Sequence, residues 1–540
     1  MEQTRIIAHA DIPAGALQHN WKYIGYDECN FTHMPRGTEL IRKFGRLDPP
    51  YWFRAHHMLC TGNMHGLYKW GSTNIYREDE NGRPVYSFDC IDRMFDIWTG
   101  SGNLPFFEIG FMPRDLARPQ EDGQPYTDET YRAVGWAMPP KDWNRWYGLI
   151  RDLMTHLKTR YGEEALRRWY FELWNEPDIF YWKGTREEYF RLFDYTEAAV
   201  HSVIPSARFG GPAVTGSNDS ASPAASFLRD FLRHCRTGTN CCSGKTGTRL
   251  DFTSFHSKGG IYNTDLRAVK QLPSVSLFTD NCRVMSGILR EEGYSGLECV
   301  VSEADPDSWA AGGRFDNFNL NFRNTEYYPG WVACAYKHLQ DLADSRGMDM
   351  RPLAWAFEFE AERCFEGTRA FATQGIDKPL FNLFRFYAGL GTERIRLETV
   401  RSPETVADTQ TAEIDGWATR REDGTCAVLL YAHHDDWDVT ECTPVHFTLG
   451  GLPAGTVRIT HYRIDGEHSN AYAEWVRQGC PDWPTATQYS AIRARSGPET
   501  LTPPYTQEVT DGAVQMTFPM PAHCVSLILV TDAESPAAVP

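Results

Sequence analysis

The tetrapeptide Trp174-Asn175-Glu176-Pro177 contains residue types suited to acid–base chemistry, directly after an apolar run. The run at 169–173 predicts a short buried strand. Proline lacks the N–H that a central strand would need to continue, so the strand ends here with an amide and a carboxyl side by side. In a barrel of alternating strands and helices, catalytic residues lie at the carboxyl ends of the strands. We therefore predict that Glu176 is catalytic.

A second glutamate, Glu303, ends a similar apolar run at 298–303, and a proline follows shortly after it. Glycoside hydrolysis requires two opposed carboxyl groups. One protonates the leaving oxygen, and the other attacks or stabilises the oxocarbenium-like centre. A separation of about 5–5.5 Å gives retention of configuration, and about 6.5–9.5 Å gives inversion. The pair Glu176 and Glu303 predicts this chemistry.

Eight apolar runs, each ending in polar or glycine-rich residues, alternate with helical patterns along the first two thirds of the chain. This alternation predicts the α/β fold class and an eight-stranded (β/α)8 TIM barrel. Glu176 then ends the fourth strand and Glu303 the seventh, so the two carboxylates face each other across the barrel mouth. The runs lie at 23–26, 51–57, 105–111, 169–174, 208–212, 250–256, 297–303 and 353–358.

The pattern changes near residue 396, where strand-like runs with glycine and proline turns replace the helices. Such runs predict a β-sandwich accessory domain. The 540 residues also exceed the roughly 250–300 that one hydrophobic core supports. We predict N-terminal strands over 1–35 that can join the sandwich, a catalytic barrel over 36–395, and the sandwich over 396–540.

The amino-acid composition limits the classes of binding partner and the cellular compartment that we predict. A net charge of −17 argues against nucleic acid and anionic membranes as partners. The 14 cysteines are scattered, as is typical of reduced thiols, and their one cluster with a histidine matches no common zinc spacing. We predict a cytoplasmic enzyme of carbohydrate metabolism that acts on an oligosaccharide and needs neither cofactor nor metal. The oligomeric state stays open, a homo-oligomer included.

Five stretches, in one order along 20–390, resemble glycoside hydrolase family 39: 54–59, 107–113, 139–143, 169–177 and 251–256. The characterised members that the chain resembles are β-D-xylosidases and α-L-iduronidases, which are retaining barrel enzymes. The resemblance implies that Glu176 is the acid/base and Glu303 the nucleophile. It also implies that Asn175 bonds the sugar 2-hydroxyl and that His56 binds glycone hydroxyls. A neutral histidine can both donate and accept, so His57 suits hydroxyl recognition as well.

The residues near the sixth and eighth strands give conflicting indications of the sugar. Xylosidases tend to follow the sixth-strand histidine, here His256, with an aromatic residue. This chain instead has the His-x-Lys-Gly pattern of the iduronidase branch, in which the lysine meets the substrate carboxylate. Lys258 would then hold a uronate, or it pairs with a nearby carboxylate. In contrast, the segment with Trp355, Glu358 and Glu360 resembles the xylosidase arrangement, and its carboxylates would repel a uronate.

We therefore predict a retaining exo-glycosidase of the β-D-xylosidase type, acting on plant-type or related oligosaccharides. A uronidase of the α-L-iduronidase type is the alternative. A non-catalytic sugar-binding protein on the same scaffold is a rival from another class, although both carboxylates are intact. A transglycosylase would share every residue named, and endo action stays open beside exo action.

Overall fold

The computed structural model describes residues 4–62, 72–121, 123–124, 126, 135–261, 267–309, 312–400, 411–534 and 539. The strands of this part are β1 (Thr4–Ala16), β2 (Tyr23–Tyr26), β3 (Trp52–Ala55), β4 (Tyr76–Glu78), β5 (Pro84–Tyr86), β6 (Leu104–Ile109), β7 (Tyr170–Leu173), β8 (Arg208–Val214), β9 (Phe252–Lys258), β10 (Glu298–Asp305), β11 (Met350–Trp355), β12 (Ala372–Thr373), β13 (Ile376–Asp377), β14 (Glu393–Val400), β15 (Glu413–Arg420), β16 (Cys426–His433), β17 (Cys442–Gly450), β18 (Thr456–Ile464), β19 (Glu499–Thr500), β20 (Tyr505–Glu508), β21 (Ala513–Pro521) and β22 (Cys524–Asp532).

The α-helices of the same part are α1 (Pro35–Gly45), α2 (Asp89–Gly100), α3 (Trp143–Tyr161), α4 (Glu163–Leu166), α5 (Arg186–Val203), α6 (Pro223–Thr237), α7 (Val275–Glu291), α8 (Tyr327–Arg346), α9 (Pro379–Ala388), α10 (Ala471–Arg477) and α11 (Ala486–Ala494). Short 3-10 helices lie at Cys29–His33 and Phe318–Asn324. Within the described ranges, no helix is both long and apolar enough to cross a membrane.

Eight strands close into a parallel barrel in the order β2-β3-β6-β7-β8-β9-β10-β11. Each predicted apolar run overlaps one of these strands, so the predicted barrel and its strand order are confirmed. Apolar side chains fill the interior below the mouth. They include Tyr23, Phe106, Tyr170 and Phe252. The barrel is therefore a packed core and not an open pore.

The helices around the barrel follow from amphipathic spacing and good caps. In α3, Trp146, Ile150, Leu153 and Leu157 are buried, as residues three to four apart on one helix face should be. The Asp142 carboxylate caps this helix by accepting from the backbone N–H groups of the first turn. A capping box opens α5 in the same way.

Ten strands form a second, separate sheet, which makes up the predicted β-sandwich domain. Its order is β19-β18-β22-β16-β15-β14-β1-β17-β21, and β20 pairs with β18. The first strand β1 therefore belongs to this sheet, antiparallel to β14 and parallel to β17. Because β2 is already a barrel strand, the barrel begins at Tyr23, ahead of the predicted boundary at residue 36.

The barrel and the sandwich share one continuous apolar core. Trp21 stacks on Tyr387 with ring centroids 4.3 Å apart, and Tyr387 contacts Trp417 of β15 edge-on. The helices α10 and α11, which the all-β prediction did not include, pack Trp475 and Ile492 beside Phe365 of the loop after β11. Apolar burial on this scale holds the two parts together as one body.

Candidate active site

A cavity of about 750 Å³ opens at the carboxyl ends of the barrel strands. Polar residues that line it follow, or end, most of the barrel strands. The polar lining comprises Asp27, His56, Asn175, Glu176, Thr215, Ser217, Asn218, His256, Lys258, Asn281, Glu303, Ser308 and Arg369. Six of the ten predicted site residues lie in this lining: Asn175, Glu176, His56, His256, Lys258 and Glu303.

The structure brings Glu176 and Glu303 together. One carboxylate oxygen of each, and a ring nitrogen of His256, all lie within 4.8 Å of one another. Glu176 stands in a turn with φ 42° after β7, a left-handed conformation that costs about 1–3 kcal/mol in a residue with a side chain. Its backbone N–H donates to Ala213 O at 2.9 Å, which fixes the turn against the next strand.

Three cationic side chains surround the Glu303 carboxylate. The Lys258 ammonium donates a 2.6 Å hydrogen bond to Oε2. His56 Nε2 lies 3.4 Å and Arg54 Nη1 lies 3.5 Å from Oε1. Burial would raise the pKa of Glu303, but the charges of His256 and Lys258 and the hydrogen bond from His56 outweigh burial and hold the pKa well below its ordinary value. Glu303 is thus ionised, as a nucleophile must be.

A fully buried charged layer lies beneath the cavity. Arg54 Nε donates to Glu172 at 2.6 Å, and its Nη2 lies 2.9 Å from Glu108 and donates to Asn175 Oδ1 at 3.1 Å. Arg54, Glu108 and Glu172 were not among the predicted site residues. A signal was present, since an acidic residue in the middle of a buried strand is rarely tolerated unless it is paired.

The surroundings of His56 favour its charged form over the predicted neutral one, and His57 lies outside the cavity lining. Burial opposes a charge on His56, but the Glu108 carboxylate 2.7 Å from Nδ1 and the nearby Glu303 raise its pKa to about 10. His56 is therefore a cation that bridges Glu108 and Glu303. His57 is buried outside the cavity lining, where its ring contacts Phe111 and Trp136. Burial, and then the charge of His56, lower the pKa of His57 to about 3.

His256 pairs with the predicted acid/base. Its Nδ1 and Glu176 Oε1 are 2.8 Å apart, while Nε2 is buried without a hydrogen-bond partner. This bond sets the direction of the Glu176 carboxyl from the sixth strand. Asn175 is oriented from the second strand, because its Oδ1 is taken by Arg54 and its amide N–H groups remain to bond a ligand.

The substrate contacts predicted for Glu358 and Glu360 do not agree with their placement. Both lie outside the cavity lining, in a separate depression with Arg36. Glu358 accepts a 2.6 Å hydrogen bond from the backbone N–H of Gly375, and Glu360 lies 3.2 Å from Arg36. The strand β11 ends at Trp355, and past a strand end the alternation of side chains no longer fixes which way a residue points.

Trp355 is also behind the cavity wall. Its ring packs 4.8 Å from that of His56, and its Nε1 donates to Asp27 at 3.3 Å. Gly25 of β2 makes room for this ring, since an added Cβ would lie 2.3 Å from it. Trp355 therefore supports Asp27 and His56, and the predicted direct sugar contact does not fit this position.

Two charged lining residues, Asp27 and Arg369, were missed. Burial raises the pKa of Asp27 against the opposing charge of Arg369. Arg369 Nε lies 2.7 Å from Asp305, and its Nη2 donates to the backbone oxygen of Asp307 at 3.1 Å. Asp27 directly follows a barrel strand, so its place in the cavity could have been predicted in the same way as that of Glu176. Arg369 lies in a long loop after the last strand, where no sequence pattern marks it.

Within the described ranges, two groups of three side chains each bring possible metal-ligand atoms within 4.8 Å of one another. The first group is Glu176, His256 and Glu303, and the second is Cys334, His338 and Glu413. In the first, the Lys258 ammonium already stands against Glu303, where it would oppose a metal cation. In the second, His338 is already hydrogen-bonded to Glu413 at 2.8 Å. The absence of a metal stays a prediction.

Comparison with known proteins bears on this site. The sequence profile of glycosyl hydrolases family 39 matches residues 55–514. The chain is 27% identical to a β-xylosidase of Geobacillus stearothermophilus, over 86% of this chain and 84% of that protein. It is 25% identical to the α-L-iduronidase of Homo sapiens, over 77% and 62%. The crystal structure of a monomeric β-xylosidase from Caulobacter crescentus CB15 superposes with a TM-score of 0.77 at 21% identity, covering 98% of this chain and 99% of that one.

Proposed function

This chain belongs to glycosyl hydrolases family 39 and is a glycoside hydrolase, and from that premise we propose that it is a retaining exo-glycosidase in which Glu176 is the acid/base and Glu303 the nucleophile. One observation carries the proposal: oxygens of the two carboxylates lie within 4.8 Å of each other. This spacing matches the short separation of retaining enzymes, about 5–5.5 Å, and is well below the roughly 6.5–9.5 Å of inverting enzymes.

In the first step, a Glu303 oxygen attacks the anomeric carbon while Glu176 donates its proton to the departing glycosidic oxygen. The products are a covalent glycosyl-enzyme ester and the released alcohol. In the second step, Glu176 takes a proton from water as the water oxygen displaces Glu303, which restores both carboxyl groups. Lys258, His56 and Arg54 keep Glu303 ionised before attack and stabilise it again as it leaves.

The buried layer supplies orientation. Arg54 contacts Glu303 and Asn175 at once, so it fixes the nucleophile relative to the amide that would bond the sugar 2-hydroxyl. Bonds to that hydroxyl strengthen in the transition state. The ion pairs of Arg54 with Glu108 and Glu172 hold the guanidinium in one position. Moving it away would leave buried charges without partners, which strongly destabilises a folded protein.

We propose a neutral glycone, a β-D-xylosyl unit or a close relative. The cationic side chains of the described lining, Lys258, His56 and Arg369, are already compensated by Glu303, Glu108 and Asp305. A substrate carboxylate would have to compete with these buried pairs. Glu358 and Glu360 lie outside the cavity lining and would not repel a bound uronate directly. It agrees with the β-xylosidase relative, whose match covers most of both chains.

A uronate is the second candidate, favoured by the observation that Lys258 and Arg369 both reach the cavity. A uronate would be bound if Lys258 turned from Glu303 to the substrate. Lys258 and Arg369 cannot fully compensate the charges of both Glu303 and a substrate carboxylate. A uronidase would therefore stabilise its ionised nucleophile less strongly.

A panel of nitrophenyl glycosides, with β-xyloside, α-arabinoside, β-galactoside, β-glucuronide and α-iduronide, tests these proposals. We expect turnover of a neutral glycoside, with the first-formed sugar in the substrate's own anomeric configuration by proton NMR. An inverted first product would refute the double displacement. Cleavage of uronides alone would refute the neutral glycone, and affinity without turnover would favour the sugar-binding rival.

Lys258→Met should move the acidic limb of the kcat/KM profile to higher pH. The ammonium 2.6 Å from Glu303 lowers the pKa of that carboxyl, so its removal raises the pKa and protonates the nucleophile at a higher pH. Each pH unit of movement corresponds to about 1.4 kcal/mol of lost attraction. Lys270→Met, which removes a lysine paired with Asp438 away from the cavity lining, is the matched control. An acidic limb that stays in place would contradict the role of Lys258.

A further inference from the structure

Three apolar side chains stand exposed at the edge of the cavity: Ile179, Phe180 and Ile261, here called the apolar rim. They are 37%, 46% and 76% exposed, respectively. The rest of the lining is mostly polar and charged, with Tyr181, Leu277 and Trp309 as its other large apolar side chains. Exposed apolar groups gathered at the edge of a polar cavity mark a surface that a ligand covers.

The apolar rim is tied to the acid/base. Ile179 and Phe180 follow Glu176 by three and four residues, and the backbone N–H of Ile179 donates to Glu176 O at 3.2 Å. Phe180 stacks on Tyr181 at 4.3 Å between ring centroids, and Tyr181 O accepts from the buried Trp174 indole at 2.9 Å. These contacts preorganise the rim, so that little ordering is needed when a ligand binds.

The position of the apolar rim determines whether it contacts the glycone or the leaving group of the substrate. Asp27, His56 and Arg369 line the cavity after the first, second and eighth barrel strands and form a charged side. The apolar rim comes from the loops after the fourth and sixth strands. Since Glu176 on the fourth-strand side gives its proton to the leaving oxygen, the leaving group must lie on the side of the rim.

Polar side chains on this side are mostly occupied. The backbone N–H of Thr215 donates to Asp178 at 2.9 Å, and its hydroxyl also bonds Asp178. Ser217 bonds within its own loop, and Asn281 donates to Lys258 O at 3.1 Å. In the described part of the chain, the exceptions are Asn218 and Asn175, and the proposed function uses the Asn175 amide for the sugar 2-hydroxyl. A sugar ring presents several hydroxyls that would lose water here without gaining partners.

We propose that the apolar rim binds the aglycone, and that the preferred leaving group is an apolar alcohol or phenol and not a second sugar. This inference rests on the proposed function of the site. The rim offers aliphatic and aromatic surface, which gains free energy by covering methylene or aryl groups. It leaves the hydroxyl recognition to the charged side, where the glycone sits.

Hexyl and methyl β-glycosides of the glycone found active in the panel provide the test. Both leaving groups are primary alkoxides of similar basicity, so their chemical steps are alike. We expect kcat/KM to be about tenfold or more higher for the hexyl glycoside, since each buried methylene strengthens binding several-fold. In the double variant Ile179→Ser and Phe180→Ser, the hexyl-to-methyl ratio should fall to about one. Phe318→Ser, which removes an equally exposed phenylalanine outside the cavity lining, should keep the wild-type ratio.

A disaccharide of the same glycone separates the two kinds of leaving group. A wild-type ratio near one, or a double variant that lowers kcat/KM for the disaccharide as strongly as for the hexyl glycoside, would overturn the inference. Failure of the proposed function is distinct, because the methyl glycoside would then show no retained product. In that case calorimetric binding of hexyl against methyl glycoside to Glu303→Gln still decides whether the rim binds an apolar group.

Discussion

Replacing Glu303 by alanine is expected to lower kcat on an aryl glycoside by on the order of ten-thousand-fold or more. The variant loses the nucleophile that forms the glycosyl-enzyme, and Lys258, His56 and Arg54 then face an empty position. The steady-state kcat measures this loss. Glu291→Ala, which removes an exposed glutamate of α7, is the control and should stay near wild type.

Azide makes the Glu303→Ala experiment specific. The small anion fits the space left by the carboxylate and the cations attract it. It attacks the anomeric carbon as Glu176 protonates the leaving group. One displacement gives a glycosyl azide of inverted configuration, which NMR identifies. Rescue also shows that the variant is folded. Residual activity above a few per cent without azide would exclude Glu303 as the nucleophile.

Replacing Glu176 by alanine should have the second-largest effect, and the loss should depend on the leaving group. General acid catalysis contributes about 10²–10⁴-fold when the leaving oxygen is basic. We therefore expect a loss of that size on alkyl glycosides and a much smaller loss in glycosyl-enzyme formation on a dinitrophenyl glycoside, whose leaving group needs no proton. Rates for a series of leaving groups measure this difference.

Azide again distinguishes the roles. In Glu176→Ala the nucleophile is intact, so azide intercepts the glycosyl-enzyme after one inversion and adds a second. The glycosyl azide then keeps the substrate's configuration, opposite to the product of Glu303→Ala. A loss that is the same for every leaving group would contradict the acid/base role. Asp178→Asn tests whether another acid of the same loop could substitute.

The barrel was predictable because each of its strands has a recognisable local sequence pattern. Each buried strand is a short apolar run that ends in polar residues, and this pattern does not depend on distant neighbours. Because parallel strands of a barrel end at one face, the strand order was enough to bring Glu176 and Glu303 to the same mouth. The fourth and seventh strands then have the positions that the sequence predicts.

Other features depend on contacts that a sequence does not display. The charge of His56 is set by Glu108, 52 residues away, and by Glu303 on another strand. Glu358 lies only three residues past β11, yet it turns to the backbone of Gly375. Arg369 reaches the cavity from a loop without regular pattern. Local periodicity determines the strands, whereas these side chains are placed by tertiary packing.

The place of β1 in the second sheet has a consequence for how the chain assembles. Arg5 pairs with Val400 and with His446, so this strand must wait until some four hundred residues more have been made. During that time its open edge can pair with other chains. Without β1, the antiparallel pair of β17 and β21 is not hydrogen-bonded to the other strands of this sheet. The barrel therefore emerges from the ribosome before the second sheet can be completed. A gene truncated at the barrel boundary would disrupt both the barrel and the second sheet.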